Sequence, residues 1–151
     1  MKLKKLLIIF SFLVLLFGCA TSVMNPDPPP YVISKPVCTV GAKEQYYNFA
    51  GIDFTISNTA KKDIQYVIIK CTVYDADTKT NPLIGSNQLV FKSALSILSG
   101  NMQTIVLSLD PFIFVAPKTP YLIDFLYIAS ITYSDGSTWE DTNGTYYSRS
   151  Y

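Results

Sequence analysis

The stretch IDFTISNTAKKDIQYVIIKCTVYD, residues 52–75, consists of two apolar runs separated by a polar, lysine-containing turn. Alternate residues of the second run form an apolar row that comprises Val67, Ile69, Cys71 and Val73, with Gln65 at its start. The intervening row includes Lys70 and Thr72 and is more polar. Because successive side chains of a strand point to opposite faces, this alternation predicts a β-strand with Cys71 on its buried side.

Segments rich in Val, Ile, Tyr, Phe and Thr recur along the chain, at residues 31–40, 46–57, 86–93, 102–110, 121–133 and 137–141. The segment 46–57 includes the first apolar run of the quoted stretch. Pro36 interrupts the first segment, which predicts an edge strand or a broken strand. Asp135-Gly136 between the last two segments is typical of a hairpin turn. Residues 94–101 are predicted to form one helical turn or a loop. About seven strands in one domain predict an all-β fold, a single antiparallel β-sandwich of immunoglobulin-like type.

Two parts of the chain resemble a known class of domain. The run from Ile52 to Thr78 is similar to the second and third strands, with their connecting turn, of small immunoglobulin-like domains that are common on bacterial surface and periplasmic lipoproteins. YIASITYSDGSTWED, residues 127–141, resembles the closing hairpin of those domains. The resemblance implies an Ig-like or fibronectin-type sandwich. It implies no site residue, because such domains are mostly uncharacterised.

The N-terminus has the pattern of an export signal. Residues 1–5 are basic and residues 6–17 are almost wholly apolar, which is typical of a secretory signal peptide and shorter than the roughly 20 residues of a membrane-spanning helix. Leu16-Phe17-Gly18-Cys19 then resembles the lipobox of bacterial lipoproteins, although Phe17 departs from the usual pattern. The resemblance implies cleavage before Cys19 and acylation of its thiol. The alternative is an uncleaved signal anchor with an incidental cysteine.

The predicted organisation follows from these signals: a signal peptide at 1–18, a proline-rich tether at 19–31, the sandwich at 32–142 and a C-terminal tail at 143–151. Prolines favour extended polyproline geometry in the tether. Ala20, at the second mature position, resembles lipoproteins that are sent to the outer membrane. We therefore expect a membrane-anchored lipoprotein of the bacterial cell envelope, held by lipid on Cys19; the resemblance at Ala20 favours the outer membrane, and the inner membrane is the alternative.

Several function classes are disfavoured by composition. The chain has no histidine, which removes His-dependent nucleophilic triads and His-based zinc sites. Without residues 1–18 it has nine basic groups against 11 acidic ones, a formal charge of −2 with no basic patch, so nucleic acid is not an expected partner. Asp75 and Asp77 do not fit a calcium loop, and Asp75 is expected to accept hydrogen bonds within a turn. Asp124 lies in the apolar run LIDFL and is expected to face solvent; the alternative is that it is bonded to a neighbouring residue. We predict no enzyme, no cofactor and no metal site.

Cys38 and Cys71 remain in the exported chain. Export places them where disulfides persist, so a bridge between them is possible. The alternative is two separate buried thiols, since free cysteine packs as a small apolar residue. The sequence leaves both arrangements open.

Two sets of residues are candidates for binding. The run Phe112-Ile113-Phe114-Val115 lies in a proline-bracketed loop and would form an interaction site if it is exposed. Alternatively, Phe112 and Phe114 cap the open end of the sandwich. The predicted function is a non-catalytic envelope module that binds a protein, or supports an assembly, through this loop or its sheet edges. The alternative function is carbohydrate binding by exposed aromatic residues: Trp139, Tyr146 and Tyr147.

Overall fold

The computed structural model describes residues 27–151. The predicted signal peptide, the lipobox with Cys19 and most of the tether lie outside these residues. The described part forms eight strands and one 3-10 helix at Asp110–Phe112. The strands are β1 (Tyr31–Ile33), β2 (Val37–Val40), β3 (Ala50–Asn58), β4 (Ile64–Tyr74), β5 (Gln88–Ile97), β6 (Met102–Ser108), β7 (Leu122–Tyr133) and β8 (Thr138–Glu140).

The strands form two antiparallel sheets. In the first sheet β3 is central, with β6 along one side and both β1 and β2 along the other. The second sheet has the order β5-β4-β7-β8. The prediction of an all-β fold built from antiparallel sheets is therefore confirmed. The sequence predicted about seven strands, whereas the described residues contain eight.

Proline explains the interrupted edge of the first sheet. β1 pairs with the last residues of β3 and β2 pairs with its first residues, so the two short strands follow one edge. Pro36 lies between them and lacks the N–H that a continuous ladder needs. The predicted broken edge strand is confirmed.

The apolar row of β4 faces the core as expected, since Val67, Ile69, Cys71 and Val73 are all buried. Gln65 is exposed, and the prediction that it shares their face is wrong. The strand register shifts between Ile64 and Tyr66, so Ile64 is fully buried at the position next to Gln65. A one-residue irregularity exchanges the two faces of a strand beyond it.

The segment 94–101, predicted as one helical turn or a loop, is divided: residues 94–97 end β5, whereas residues 98–101 form a turn. Ala94 pairs with Tyr66, and Ile97 pairs with Ile64. Leu95 packs against the core and Ile97 is buried, while Ala94 is exposed. The short alternation of small and apolar residues thus follows the two-residue period of a strand.

The two ends of the sandwich differ in what they carry. We call one end proximal because the described chain begins there: the Thr59 N–H donates to the Pro30 carbonyl, beside the turns at 59–63, 98–101 and 134–137. Asn58 stabilises this end, since its buried side-chain amide donates to the carbonyls of Lys62 and Ile97. The distal end carries the longer loops at 41–49, 75–87 and 109–121.

Candidate functional site

The predicted binding loop divides into a packed half and an exposed half. Phe112 packs against the core with its ring perpendicular to that of Phe91, at a centroid distance of 6.1 Å, and Ile113 is buried. Phe114 and Val115 are 81% and 71% exposed. Phe112 therefore caps the end of the sandwich, whereas Phe114 does not. Only Phe114 and Val115 are accessible to a partner.

A neighbouring loop adds a third apolar side chain at the distal end. The Ile84 N–H donates to the Phe112 carbonyl oxygen over 2.9 Å, which ties the two loops together, and the Ile84 side chain is 47% exposed. We call Ile84, Phe114 and Val115 the distal patch. Exposed apolar side chains that adjacent loops bring together form a candidate interaction site.

The three aromatic residues predicted to bind carbohydrate lie in different environments. The Trp139 ring is perpendicular to that of Tyr31, at 5.5 Å, and lies 6.1 Å from that of Tyr146. The Tyr146 hydroxyl donates to the backbone carbonyl of Asp27. Trp139 and Tyr146 thus pack at the rim of the sandwich, whereas Tyr147 is exposed.

The predicted tail lies along β7. Leu126 and Ser148 exchange two backbone hydrogen bonds of 3.0 and 2.7 Å. This pairing stacks the Tyr147 ring on Phe125, at a centroid distance of 4.7 Å. Phe125 has a φ of 50°, which is uncommon for a bulky residue and marks an irregularity within β7. The sequence alone does not indicate the contact between Phe125 and Tyr147, because the C-terminal segment and β7 are separate segments of the chain.

Asp124 is ion-paired, so the alternative that it is bonded to a neighbouring residue is confirmed, and the expectation that it faces solvent is wrong. Its carboxylate oxygen lies 2.8 Å from Nε of Arg149, and its side chain is mostly buried. The Arg149 guanidinium also lies over the rings of Tyr147 and Tyr151, at 4.8 and 5.8 Å. The charge of Asp124 is therefore compensated within the chain.

A depression of about 330 Å³ lies on the outer face of the second sheet, beside Phe125. We call it the outer-face pocket. Its lining includes Lys70, Thr72, Gln88, Val90, Phe125 and Tyr127. Sequence periodicity placed Lys70 and Thr72 on the outward face of β4, but the irregularity at Phe125 that completes the pocket was not foreseen.

A second hollow, of about 520 Å³, lies toward the distal end. It is lined by Tyr74, Lys79, Leu122, Asp124 and Tyr151. Its carboxylate already pairs with Arg149, and the Lys79 ammonium donates to the Ala76 carbonyl over 2.6 Å. Both of its charged groups therefore have partners within the chain.

Cys38 and Cys71 lie in opposite sheets, in β2 and β4, and the structure holds both as free, buried thiols. Burial raises the pKa of both, that of Cys71 to about 12. Neither thiol is activated as a nucleophile, which needs a lowered pKa. Titration of the thiols in the unfolded, unreduced protein distinguishes the two arrangements that the sequence left open.

Asp75 stabilises the turn in which it lies. One carboxylate oxygen accepts hydrogen bonds from the backbone N–H groups of Asp77 and Thr78, at 3.0 and 2.8 Å, as the sequence predicted. These hydrogen bonds lower the pKa of Asp75. Among residues 27–151, no group of three or more His, Cys, Asp or Glu side chains is placed to hold a metal ion.

Comparisons with protein-family models, curated proteins and solved structures find no match to this chain. Within the described range there is also no helix with the length and apolarity that a membrane span requires. Function must therefore be inferred from the arrangement of the residues themselves.

Proposed function

We propose that this protein is a non-catalytic lipoprotein of the bacterial cell envelope, whose sandwich binds a protein partner through its distal patch. The lipobox-like residues 16–19 support the anchor, which would be lipid on Cys19. Each buried CH₂ of an acyl chain contributes about 0.8 kcal/mol to membrane binding, so two or more chains anchor a protein stably. Alanine rather than aspartate at the second mature position, residue 20, supports the outer membrane as the site of anchoring.

We also infer that the sandwich belongs to the Ig-like class and is of the fibronectin type. The distribution of strands supports this inference: β1, β2, β3 and β6 share one sheet, while β4, β5, β7 and β8 share the other. Consecutive strands thus switch between sheets after β3, β5 and β6, as Greek-key connections do in such sandwiches.

The opposite location of the tether and the distal patch is the observation that favours protein binding. Pro30 hydrogen-bonds at the proximal end, so the tether joins the sandwich there. Phe114 and Val115 lie at the other end. A sandwich anchored through residue 19 would present these apolar side chains away from its own membrane, where a partner can reach them. Aromatic side chains such as that of Phe114 are enriched at the centre of protein interfaces.

Site-specific photo-crosslinking in intact cells tests this function. A photoreactive amino acid replaces Phe114 in the full-length protein, and the matched control carries it at Met102, which is 72% exposed near the proximal end. We expect a discrete protein adduct from position 114 and none from position 102. The same adduct formed from position 84 should disappear in a Phe114→Ser/Val115→Ser variant. Equal adducts from positions 114 and 102, or none from either, would contradict the proposal.

The anchor is tested separately. Cys19→Ser removes the only acceptor thiol next to the predicted cleavage site. We expect the variant to lose acylation, measured by mass spectrometry of the N-terminal peptide, and to remain unprocessed. A processed wild-type protein with an unmodified Cys19 would refute lipid anchoring without affecting the protein-binding proposal.

Carbohydrate binding is a second candidate function, and the outer-face pocket is the observation that favours it. Trp139 and Tyr146 are packed at the rim, so they are poor platforms for a sugar. Phe125, Tyr127 and Tyr147 instead form one aromatic cluster on the outer face, with centroid distances of 5.4 and 4.7 Å. Aromatic side chains beside a few polar groups are typical of small-molecule sites.

A further inference from the structure

We propose that the outer-face pocket binds an acidic sugar, and that Lys70 binds the carboxylate of that sugar. This inference rests on the carbohydrate-binding candidate and names its site and ligand class. It does not depend on the distal patch, which lies on the loops at the end of the sandwich.

Lys70 is an unusual residue for the middle of a sheet. It lies in β4 between Val90 of β5 and Tyr127 of β7, and it is partly buried. Within residues 27–151 each ion pair joins an aspartate to Lys43, Lys62 or Arg149, and none involves Lys70. The Lys70 ammonium therefore has no ion-pair partner among these residues and can bind an anionic group that comes from outside.

The surroundings of Lys70 suit an anion that comes from outside. The residues that line the pocket include no carboxylate. The nearest acidic residue along β7, Asp124, pairs with Arg149 instead. The pocket therefore carries one positive charge without compensation, which is complementary to a ligand with one negative charge.

The rest of the lining favours a sugar over a bare anion. Phe125 supplies apolar ring surface against which the C–H groups of a sugar ring can pack, and the buried Tyr127 ring supports it edge-on at a centroid distance of 5.4 Å. Thr72, Ser86 and Gln88 supply hydroxyl and amide groups that can hydrogen-bond its hydroxyls. The volume of about 330 Å³ lies within the roughly 300–1,000 Å³ of small-molecule sites. A pocket with one ammonium and several neutral polar groups is complementary to a uronic acid unit, which carries one carboxylate and several hydroxyls.

Calorimetric titration of the full-length protein in detergent with an oligogalacturonate tests the proposal, and the neutral galactose oligomer of equal length is the matched ligand. We expect the acidic oligomer to bind at least about tenfold more tightly, as one charge-assisted hydrogen bond allows. Lys70→Gln should weaken acidic binding about tenfold and leave neutral binding unchanged, whereas Lys70→Arg retains most of the affinity. Raising the salt concentration should weaken only the acidic ligand.

Lys92→Gln is the matched control variant, because Lys92 is exposed on β5, pairs with Ile68 and does not line the pocket. Equal binding of the acidic and neutral oligomers, or equal effects of the two lysine variants, would refute the role of Lys70 while leaving carbohydrate binding in place. No binding of either oligomer would refute both. The Phe114→Ser/Val115→Ser variant should bind sugar normally, which separates this test from the protein-binding proposal.

Discussion

Replacement of Gly51 by alanine should destabilise the sandwich through a single contact. Gly51 lies in the central strand β3, where Thr39 and Ser108 are its partners on either side. A Cβ atom at this position would lie 2.8 Å from Cζ of the Tyr47 ring and closer still to its Cε1 and Cδ1. Real Cβ atoms essentially never approach so closely, so the ring or the strand must move.

The expected loss of stability is about 2 kcal/mol. Tyr47 is buried, and expelling its ring forfeits roughly 1.5–3 kcal/mol of side-chain burial. Shifting the strand instead is an overpacking change, which destabilises by about 1–3 kcal/mol. Alanine in a strand recovers about 0.5–1 kcal/mol relative to glycine, because glycine loses more backbone freedom on folding.

Urea unfolding followed by the fluorescence of Trp139, the single tryptophan, measures this effect. A double-mutant cycle with Tyr47→Ala tests its cause: once the ring is removed, Gly51→Ala should have almost no effect or stabilise slightly. Gly100→Ala is the control, since its Cβ meets open space and only its φ of 78° is unfavourable. If the effects of Gly51→Ala and Tyr47→Ala add to within about 0.5 kcal/mol, the contact is not the cause.

Three further predictions concern charge, thiols and the pocket. Burial raises the pKa of Asp110, but hydrogen bonds from the backbone N–H groups of residues 48–50 lower it by more, so its pKa in the folded protein is depressed. The stability that the ionised carboxylate contributes is present above the unfolded pKa of about 4 and is lost as the pH falls. The urea midpoint of Asp110→Asn should therefore decline less between pH 6 and pH 3 than that of wild type. Cys38 and Cys71 should resist Ellman's reagent in the native protein because burial raises their pKa; rapid native labelling would contradict this, and two free thiols after unfolding without reductant would reject the bridge. Gly144→Ala should destabilise the folded protein by about 1–3 kcal/mol and weaken sugar binding. The reason is that the new Cβ would lie 2.6 Å from the Phe125 ring, at a residue whose φ is 68°. An unchanged urea midpoint would contradict this packing.

The sequence alone determined the features that depend on neighbouring residues. The alternation around Cys71 identified the buried face of β4, since side chains of a strand alternate regardless of what packs on them. Pro36 identified the break in the edge strand because a missing N–H is a local property. The lipobox-like residues before Cys19 are also a local signal, and the anchor they predict stays a prediction.

Tertiary structure decided the features that depend on distant residues. The exposure of Gln65 follows from a register shift that pairing with two neighbouring strands imposes. The ion pair of Asp124 with Arg149 requires the C-terminal segment to pair with β7. The pocket beside Lys70 requires β4, β5 and β7 to lie side by side. A local pattern specifies which faces of a strand are apolar. Only the packing of segments far apart in the chain determines which of those faces are buried and which polar groups meet.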